Sequence, residues 1–284
     1  MASTIIAGRS GEPVIEIRPE GGIPRLGVDE LWRHRSLFGF LIWRDVKIRY
    51  AQTLLGVAWV VLQPLASMVI FALIFGRLAR IPSDGVPYPA FALAALVPWT
   101  FFASALASAS QSLIEQGNVI SKVYFPRLFV PLAPVASGLL DTGIALALLV
   151  PALAAFRLVP RPGTLLVLPL LFLVAAVTVA GVGAGLAALN LRYRDFRYAV
   201  PFLIQAWMFA SPVVYPASLV PEGYRTFYAL NPMVGVIEGC RWALLGTPAP
   251  GRALLVASAT SAATLFVVGA TYFRWAERTF VDVA

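Results

Sequence analysis

The chain has 284 residues, of which 59% are hydrophobic and only 13% are charged, whereas soluble domains carry about 25% charged residues. This composition excludes an ordinary soluble protein and indicates one that lipid covers. The net charge of +8 fits loops that face anionic lipid better than a nucleic-acid-binding surface. One cysteine, Cys240, and one histidine, His34, exclude an intramolecular disulfide, a cysteine-cluster metal site and a histidine-based zinc site.

Residues 1–28 are rich in Gly and Pro and lack periodicity, which predicts a mobile polar cytoplasmic tail. Residues 29–51 predict an amphipathic helix that lies in the membrane interface, with a plain cluster of juxtamembrane charges as the alternative. Its apolar side would hold Trp32, Phe38, Ile42, Trp43, Val46 and Tyr50, opposite Arg33, Arg44 and Lys47. Arg35 and Arg49 intrude on the apolar side, where long cations can snorkel to the interface.

Six apolar runs predict membrane-spanning helices, each near the roughly 20 residues that a bilayer core requires. They lie at about 54–76, 88–110, 130–156, 164–190, 198–215 and 252–273. Close helix contacts are predicted by two pairs of small residues in the second span, Ala103–Ala107 and Ser104–Ser108, and by Gly181 and Gly185 in the fourth. The fifth span is short and is interrupted by prolines.

Two half-polar segments interrupt the spans. Residues 111–131 predict a helical elbow, with Leu113, Ile120 and Tyr124 on one side and Glu115, Asn118 and Lys122 on another. Residues 217–251 predict two short re-entrant or surface helices, because Glu222, Arg225, Glu238 and Arg241 keep either helix from spanning. With both termini inside, about two thirds of the Lys and Arg residues lie in cytoplasmic segments, which places the elbow in the cytoplasm.

The motifs that would indicate chemistry within the chain are missing. The sequence contains no GxxxxGK[ST] phosphate loop, no HExxH motif and no paired-carboxylate signature. Asp141 is the clearest ionisable residue within a span; it would be a proton or substrate site, or alternatively a packed and hydrogen-bonded structural carboxylate. Aromatic residues near the span ends could face lipid or could line a path for sugar rings.

The order of several motifs resembles the type-2 ABC exporter permeases that move O-antigen, capsular glycan or teichoic acid. These motifs are WRDVKIRY at 43–50, LLGVAWVVLQPL at 54–65, PWTFF at 98–102, KVYFPR at 122–127, NLRYRDFR at 190–197 and SPVVYP at 211–216. The resemblance covers about residues 30–280 and implies a single all-α membrane domain over 29–284. That domain has six spans, an interfacial helix, a coupling helix between spans 2 and 3, and two re-entrant helices between spans 5 and 6.

The resemblance also implies roles for individual residues. Arg44, Lys47 and Arg49, with Leu55 and Gly56, would flank the entrance for a polyprenyl pyrophosphate. Glu115, Asn118 and Lys122 would couple the elbow to the ATPase, and Tyr224, Asn231, Glu238 and Arg241 would belong to an outer gate. The glycan path would hold Trp99, Phe101, Phe102, Trp207 and Tyr215.

The function that the resemblance implies is that of the membrane subunit of an ATP-driven exporter in the inner membrane. Such a permease would form a homodimer with two copies of a separate ATP-binding subunit, which would carry ATP and Mg²⁺. This chain would hold no cofactor and no metal, and it would not be an enzyme or bind nucleic acid. The alternatives are an ion-coupled secondary transporter that uses Asp141 and a membrane glycosyltransferase.

Overall fold

The structure is a computed structural model that describes residues 2–7, 13–18, 32–51, 58–116, 125–193 and 195–277. Two strands, β1 (Ala2–Ala7) and β2 (Pro13–Arg18), pair antiparallel with Ala2 opposite Arg18. The sequence analysis did not predict these strands. The runs STIIA and VIEI are rich in β-branched residues, which favour strands. The Gly and Pro residues around these runs favoured the prediction of an unstructured tail instead. Apart from this pair, the regular structure of the described residues is helical.

The interfacial helix α1 (Arg35–Tyr50) follows a turn at His34 and ends where Ala51 becomes extended. It packs on α4 (Phe129–Ala154) through Leu41, which is buried, and through Phe38, whose ring stacks on Phe129 at 5.0 Å between centroids. Trp43 was predicted on the apolar side but is 56% exposed. The packed face is therefore rotated away from Trp43.

Within the part of the chain that the structure describes, five helices are long and apolar enough to cross a membrane. They are α2 (Ala58–Phe71), which continues as a π-helix over Ala72–Leu78; α3 (Tyr88–Glu115); α4; α5 (Pro162–Leu165) with α6 (Leu168–Arg192); and α10 (Arg252–Glu277). These confirm five of the six predicted spans. The central helix is α3, which packs against α4 and α6 and is the most deeply buried of the five.

The predicted fifth span is wrong in length. Its helix, α7 (Phe196–Phe209), has 14 residues, which at 1.5 Å per residue is about 21 Å and is shorter than a bilayer core of about 30 Å. The chain turns at residues 210–213, where Pro212 cannot donate a helical hydrogen bond. That both termini lie in the cytoplasm remains a prediction, because it requires this segment to cross the membrane too.

The predicted half-polar pair is present as α8 (Glu222–Tyr228) and α9 (Pro232–Leu245), after a single 3₁₀ turn at Ala217–Leu219. The side chain of Asn231 caps α9 by accepting a hydrogen bond from the Met233 amide, and Gly246 ends it in the left-handed conformation. Nearly every residue of α9 is buried against α3, α6 and α10. Its polar side chains are thus enclosed by protein, the condition under which a half-polar helix is tolerated at membrane depth.

The small-residue pattern of α6 lies where α6 meets α10. A Cβ atom on Gly181 would lie 2.3 Å from the Phe266 Cα atom, and one on Gly269 would lie 2.0 Å from the Gly181 carbonyl oxygen. At Gly185 the added atom would meet only the Gly269 Cα atom at 3.6 Å, an ordinary contact. Of the two predicted glycines, Gly181 therefore sets the distance between these helices.

Candidate functional site

Asp141 of α4 has two partners on the interfacial helix. Arg49 forms an ion pair with one carboxylate oxygen, and the Tyr50 hydroxyl donates a hydrogen bond to the other. A second nitrogen of Arg49 donates to the Ser137 hydroxyl at 3.3 Å. We name the set Arg49, Tyr50, Ser137 and Asp141 the portal cluster. Both carboxylate oxygens of Asp141 are thus hydrogen-bonded, and which of its two predicted roles it has remains a prediction.

Burial, and then the hydrogen bond to Asp141, raise the pKa of Tyr50 above its ordinary value. The phenol therefore stays neutral and can keep donating to the carboxylate. The sequence analysis placed Tyr50 on the apolar side of α1 and gave it no role. The available signal was the pair of adjacent polar residues, Arg49 and Tyr50, at the end of a helix that faces a span with one acid.

Two cavities meet at the portal cluster. The deep cavity, of about 350 Å³, is lined by Arg49, Tyr50 and Asp141 together with residues of α2 and α3 that include Gln63, Thr100 and Ser104. The mouth cavity, also of about 350 Å³, is lined by Arg44, Asp45, Arg49, Ser112 and Glu115. Arg49 and Ser108 line both. Ser104 and Ser108 were predicted to allow a close helix contact, but they are exposed and face these cavities instead.

The predicted entrance residues are only partly brought together. Arg44 lines the mouth cavity and is held by its neighbour Asp45 at 2.8 Å. The Lys47 ammonium lies 4.8 Å from the centroid of the Trp43 ring and lines neither cavity. Leu55 and Gly56 lie outside the described residues. Of the three predicted cations, Arg49 alone lines both cavities.

The predicted glycan-path aromatics lie mostly in the protein core. Trp99 and Phe102 are buried, and Phe102 packs edge-on against Trp207 with 4.9 Å between centroids. Phe101 is buried against Phe172 but reaches the wall of the deep cavity. The Tyr215 hydroxyl donates to the Phe209 carbonyl and accepts from Tyr228. The chain itself covers the ring faces of Trp99 and Phe102 in this conformation, so their contact with a glycan remains a prediction.

The predicted outer-gate residues form a second polar cluster around α9. Arg241 is 1% exposed and pairs with Glu238 at 2.8 Å, while a second nitrogen donates to the Val213 carbonyl at 3.1 Å. Its guanidinium carbon lies 3.5 Å from the centroid of the Phe91 ring. Burial lowers the pKa of Arg241, and the Glu238 carboxylate opposes that shift. We name Glu238, Arg241 and the backbone carbonyls around them the α9 cluster.

The two other predicted gate residues are Asn231 and Tyr224. The Asn231 side chain accepts a hydrogen bond from the Trp207 indole at 2.8 Å and donates to the Ser211 hydroxyl at 2.9 Å. Tyr224 on α8 is 67% exposed. Glu238 also lines a third cavity, of about 660 Å³, with Asp84 and Arg225.

Of the predicted coupling residues, Glu115 lies at the end of α3 that borders the mouth cavity. Glu115 is exposed at the last position of α3, and Leu113 beside it is buried, as predicted for the side that faces the permease. Asn118 and Lys122 lie outside the described residues. One continuous helix thus connects the buried centre of the protein to the start of the predicted elbow.

The chemistry that these clusters offer is recognition. The portal cluster combines a half-exposed guanidinium with hydroxyl groups and apolar walls, which suits an amphiphile with an anionic headgroup. Among the described residues, no group of three or more His, Cys, Asp or Glu side chains could hold a metal ion.

Residues 36–245 match the family described as the ABC-2 type transporter. The O-antigen export system permease protein RfbA of Myxococcus xanthus is 28% identical over 258 residues, which are 90% of this chain and 98% of that protein. RfbA of Klebsiella pneumoniae is 28% identical over 198 residues, 70% of this chain and 76% of that protein. The polysialic acid transport protein KpsM of Escherichia coli is 24% identical over 240 residues, 82% and 90% of the two chains.

The family match covers most of the chain and includes both the helix that carries Arg49 and the helix that carries Arg241. Together with five helices able to cross a membrane, it identifies the chain as a member of the ABC-2 type transporter family and as a multi-pass membrane permease that is not itself catalytic.

Proposed function

We propose that this chain is the transmembrane subunit of an ATP-driven exporter that moves a lipid-linked polysaccharide across the inner membrane. The substrate is an O-antigen carried on undecaprenyl pyrophosphate, and the energy comes from ATP and Mg²⁺ on a separate subunit. The permease forms a homodimer that binds two copies of that subunit. The names of the relatives support this assignment, since two are O-antigen export permeases and one is a polysialic acid transport protein.

The observation that carries the proposal is the position of Arg49 between the mouth cavity and the deep cavity. A pyrophosphate needs cations and hydrogen-bond donors, which Arg49, Tyr50 and the serine hydroxyls supply. The polyprenyl chain needs an apolar surface, and α2 presents exposed apolar side chains, including Trp59 and Leu62, next to this site. An interfacial site that offers a cation with hydrogen-bond donors and also an apolar surface suits a lipid whose headgroup enters from the cytoplasmic side.

The coupling to ATP hydrolysis is supported by α3. The Ser104, Ser108 and Ser112 side chains of this helix line the cavities, and its last residue, Glu115, begins the polar segment that we propose contacts the ATPase. A push on the end of a continuous 28-residue helix moves the walls of both cavities. The same geometry serves a capsular polysaccharide or a teichoic acid, so these are the alternative cargoes.

The proposal is tested in a strain that lacks the native gene and is complemented with variants of it. Arg44→Ala with Arg49→Ala is expected to remove surface polysaccharide and to accumulate undecaprenyl-linked glycan inside the cell. Lys47→Ala is the matched control, because this cation is on the same helix but lines neither cavity. Unchanged surface polysaccharide in the double variant would contradict the entrance role.

The energy source is tested separately by replacing the phosphate-loop lysine of the partner ATPase. Export should stop while the permease stays in the membrane. Continued export would instead favour ion coupling through Asp141. Chemical analysis of the glycan that accumulates distinguishes O-antigen from capsule and wall polymer.

A further inference from the structure

The cation at the proposed entrance already has an anion bound to it. Arg49 comes from the interfacial helix and Asp141 comes from α4, 92 positions later in the chain. Tyr50 holds the second oxygen of the same carboxylate, and Ser137 accepts from Arg49. A headgroup that takes the Arg49 N–H group now directed at Asp141 must therefore displace this carboxylate first.

The ion pair is placed where such a displacement is possible. The Arg49 and Asp141 side chains are 35% and 16% exposed, so neither is sealed in the core. Arg49 lines the cavities on both of its sides, and Asp141 lines the deep one. Because Arg49 and Ser108 are the residues that line both cavities, an anion that passes from one cavity to the other passes Arg49.

We infer that Asp141 is a specificity-determining residue, an internal competitor that keeps the membrane's abundant anionic phospholipids off Arg49. The inference rests on the proposed function, since it concerns the same entrance. It assigns Asp141 a role in choosing the substrate, distinct from a role as a proton carrier.

The charge of the competing anions explains how the selection works. The headgroup of an anionic phospholipid such as phosphatidylglycerol brings one net negative charge and would exchange one anion for another of equal charge. The tethered carboxylate wins that exchange because its effective concentration at Arg49 is high. A pyrophosphate diester brings two charges and more acceptor oxygens, so it can take both terminal nitrogens of Arg49 and also the Tyr50 hydroxyl. Selectivity is obtained by making the wrong ligand unfavourable, at some loss of affinity for the right one.

The test uses the purified complex of the permease with its ATPase in lipid nanodiscs. The probe is radiolabelled undecaprenyl diphosphate, and its apparent Kd is measured in phosphatidylcholine alone and in an equal mixture with phosphatidylglycerol. The variants are Asp141→Asn and the matched control Asp45→Asn. Asp45 is also an acid at this entrance, but it pairs with Arg44 and not with Arg49.

The wild-type complex is expected to bind the probe with nearly the same Kd in both membranes. Asp141→Asn is expected to bind about tenfold more tightly in phosphatidylcholine, because Arg49 is then always available. It is expected to lose that gain in the mixed membrane, where phosphatidylglycerol now competes. Asp45→Asn and Asp141→Glu should behave like the wild type, since each keeps a carboxylate on Arg49.

Weaker binding of the probe by Asp141→Asn in both membranes, or a lipid dependence equal to that of the wild type, would overturn the inference and leave Asp141 with a structural role. Asp141→Ser is a second neutral variant if Asp141→Asn does not assemble. If the wild-type complex itself fails to bind undecaprenyl diphosphate, the proposed function fails. If the wild type binds it and the neutral variants show no lipid competition, only the inference about Asp141 fails.

Discussion

The molecule contains two arginine–carboxylate pairs at its polar clusters, and they are built differently. Arg241 and Glu238 lie one turn apart on α9, and the guanidinium is 1% exposed, under the ring of Phe91 and against backbone carbonyls. Arg49 and Asp141 join two separate helices, and Arg49 is 35% exposed between two cavities. The Arg241 guanidinium is enclosed by groups that cannot leave, although Glu238 borders a cavity, whereas the Arg49 guanidinium is open to an incoming anion.

The difference shows how the same two residue types can serve structure in one place and recognition in another. A buried pair cannot exchange its partner without exposing an unpaired charge to a low-dielectric interior. A half-exposed pair can, because water and a ligand are able to replace the carboxylate. The α9 cluster is therefore expected to stabilise the fold, and the portal cluster to bind substrate. Each of the substitutions below tests that division.

The largest loss of stability is expected for Arg241→Met. It leaves Glu238 and the carbonyls of Val213 and Tyr215 without their donor, and breaking a buried ion pair costs about 3–5 kcal/mol. The free energy of unfolding in detergent measures this. Arg225→Met is the control, because Arg225 pairs with an 89%-exposed Glu222, and exposed pairs contribute at most about 1 kcal/mol. Equal stability of the two variants would remove the distinction between the clusters.

A smaller loss, of about 2 kcal/mol, is expected for Asn231→Ala, which removes the cap of α9 and the acceptor of the Trp207 indole N–H group. Tyr224→Ala is the control, because this neighbouring residue is mostly exposed and should change stability by no more than about 0.5 kcal/mol. Both residues were predicted in the outer gate. A stable Asn231→Ala variant that exports normally would show that the α9 cluster does not depend on this contact.

Arg49→Met is expected to lower the free energy of unfolding by about 1–2 kcal/mol, between the values for exposed and buried pairs. Arg49→Met should nevertheless abolish export. In Arg241→Met, by contrast, the main effect should be the loss of folding stability. The measurements are the unfolding free energy and the surface polysaccharide of the same strains. If Arg49→Met unfolds as readily as Arg241→Met, the portal cluster is structural after all.

The elements of this fold could be predicted from local sequence. Runs of about 20 apolar residues are sufficient to indicate spans, and charged residues in α9 were sufficient to exclude it from spanning. The exception is the fifth span. Its apolar composition predicted a helix that continues to about residue 215, whereas the helix ends at Phe209, shortly before Pro212. The strands near the N-terminus were missed because composition was weighted above β-branched runs.

Partners that are distant in sequence could not be predicted. In the sequence Asp141 looks like a lone acid, because Arg49 and Tyr50 precede it by about 90 positions. Neither segment indicates how α1 is positioned along α4. The intrusion of Arg49 on the apolar side was visible but was explained by snorkelling. The composition of the aromatic residues at 99–102 suits a sugar path and a core equally. Only packing against α6 and α7 shows that Phe101 and Phe102 lie in the core, and their contact with a glycan stays a prediction.

The smallest effect is expected for Tyr50→Phe, which removes one of the donors to Asp141 and leaves Arg49 in place. The loss should be about 1 kcal/mol, as for a single hydrogen bond to a charged group with partial exposure. Because the pKa of Tyr50 is raised, its hydroxyl stays protonated in the folded protein. Unfolded tyrosine titrates near pH 10, so the contribution is complete below about that pH and is lost only as the pH rises through the higher pKa of the folded state.

The difference in unfolding free energy between the wild type and Tyr50→Phe should therefore be the same at about pH 6 and about pH 9. Tyr198→Phe is the control, since Tyr198 is 80% exposed on α7 and its removal should change nothing at either pH. If the difference in unfolding free energy became smaller between the lower and the higher pH, the Tyr50 phenol would be losing its proton in that range. It would then not hold Asp141 as a neutral donor. In that case Arg49 alone would retain the carboxylate, and the portal cluster would be even easier for a diphosphate to open.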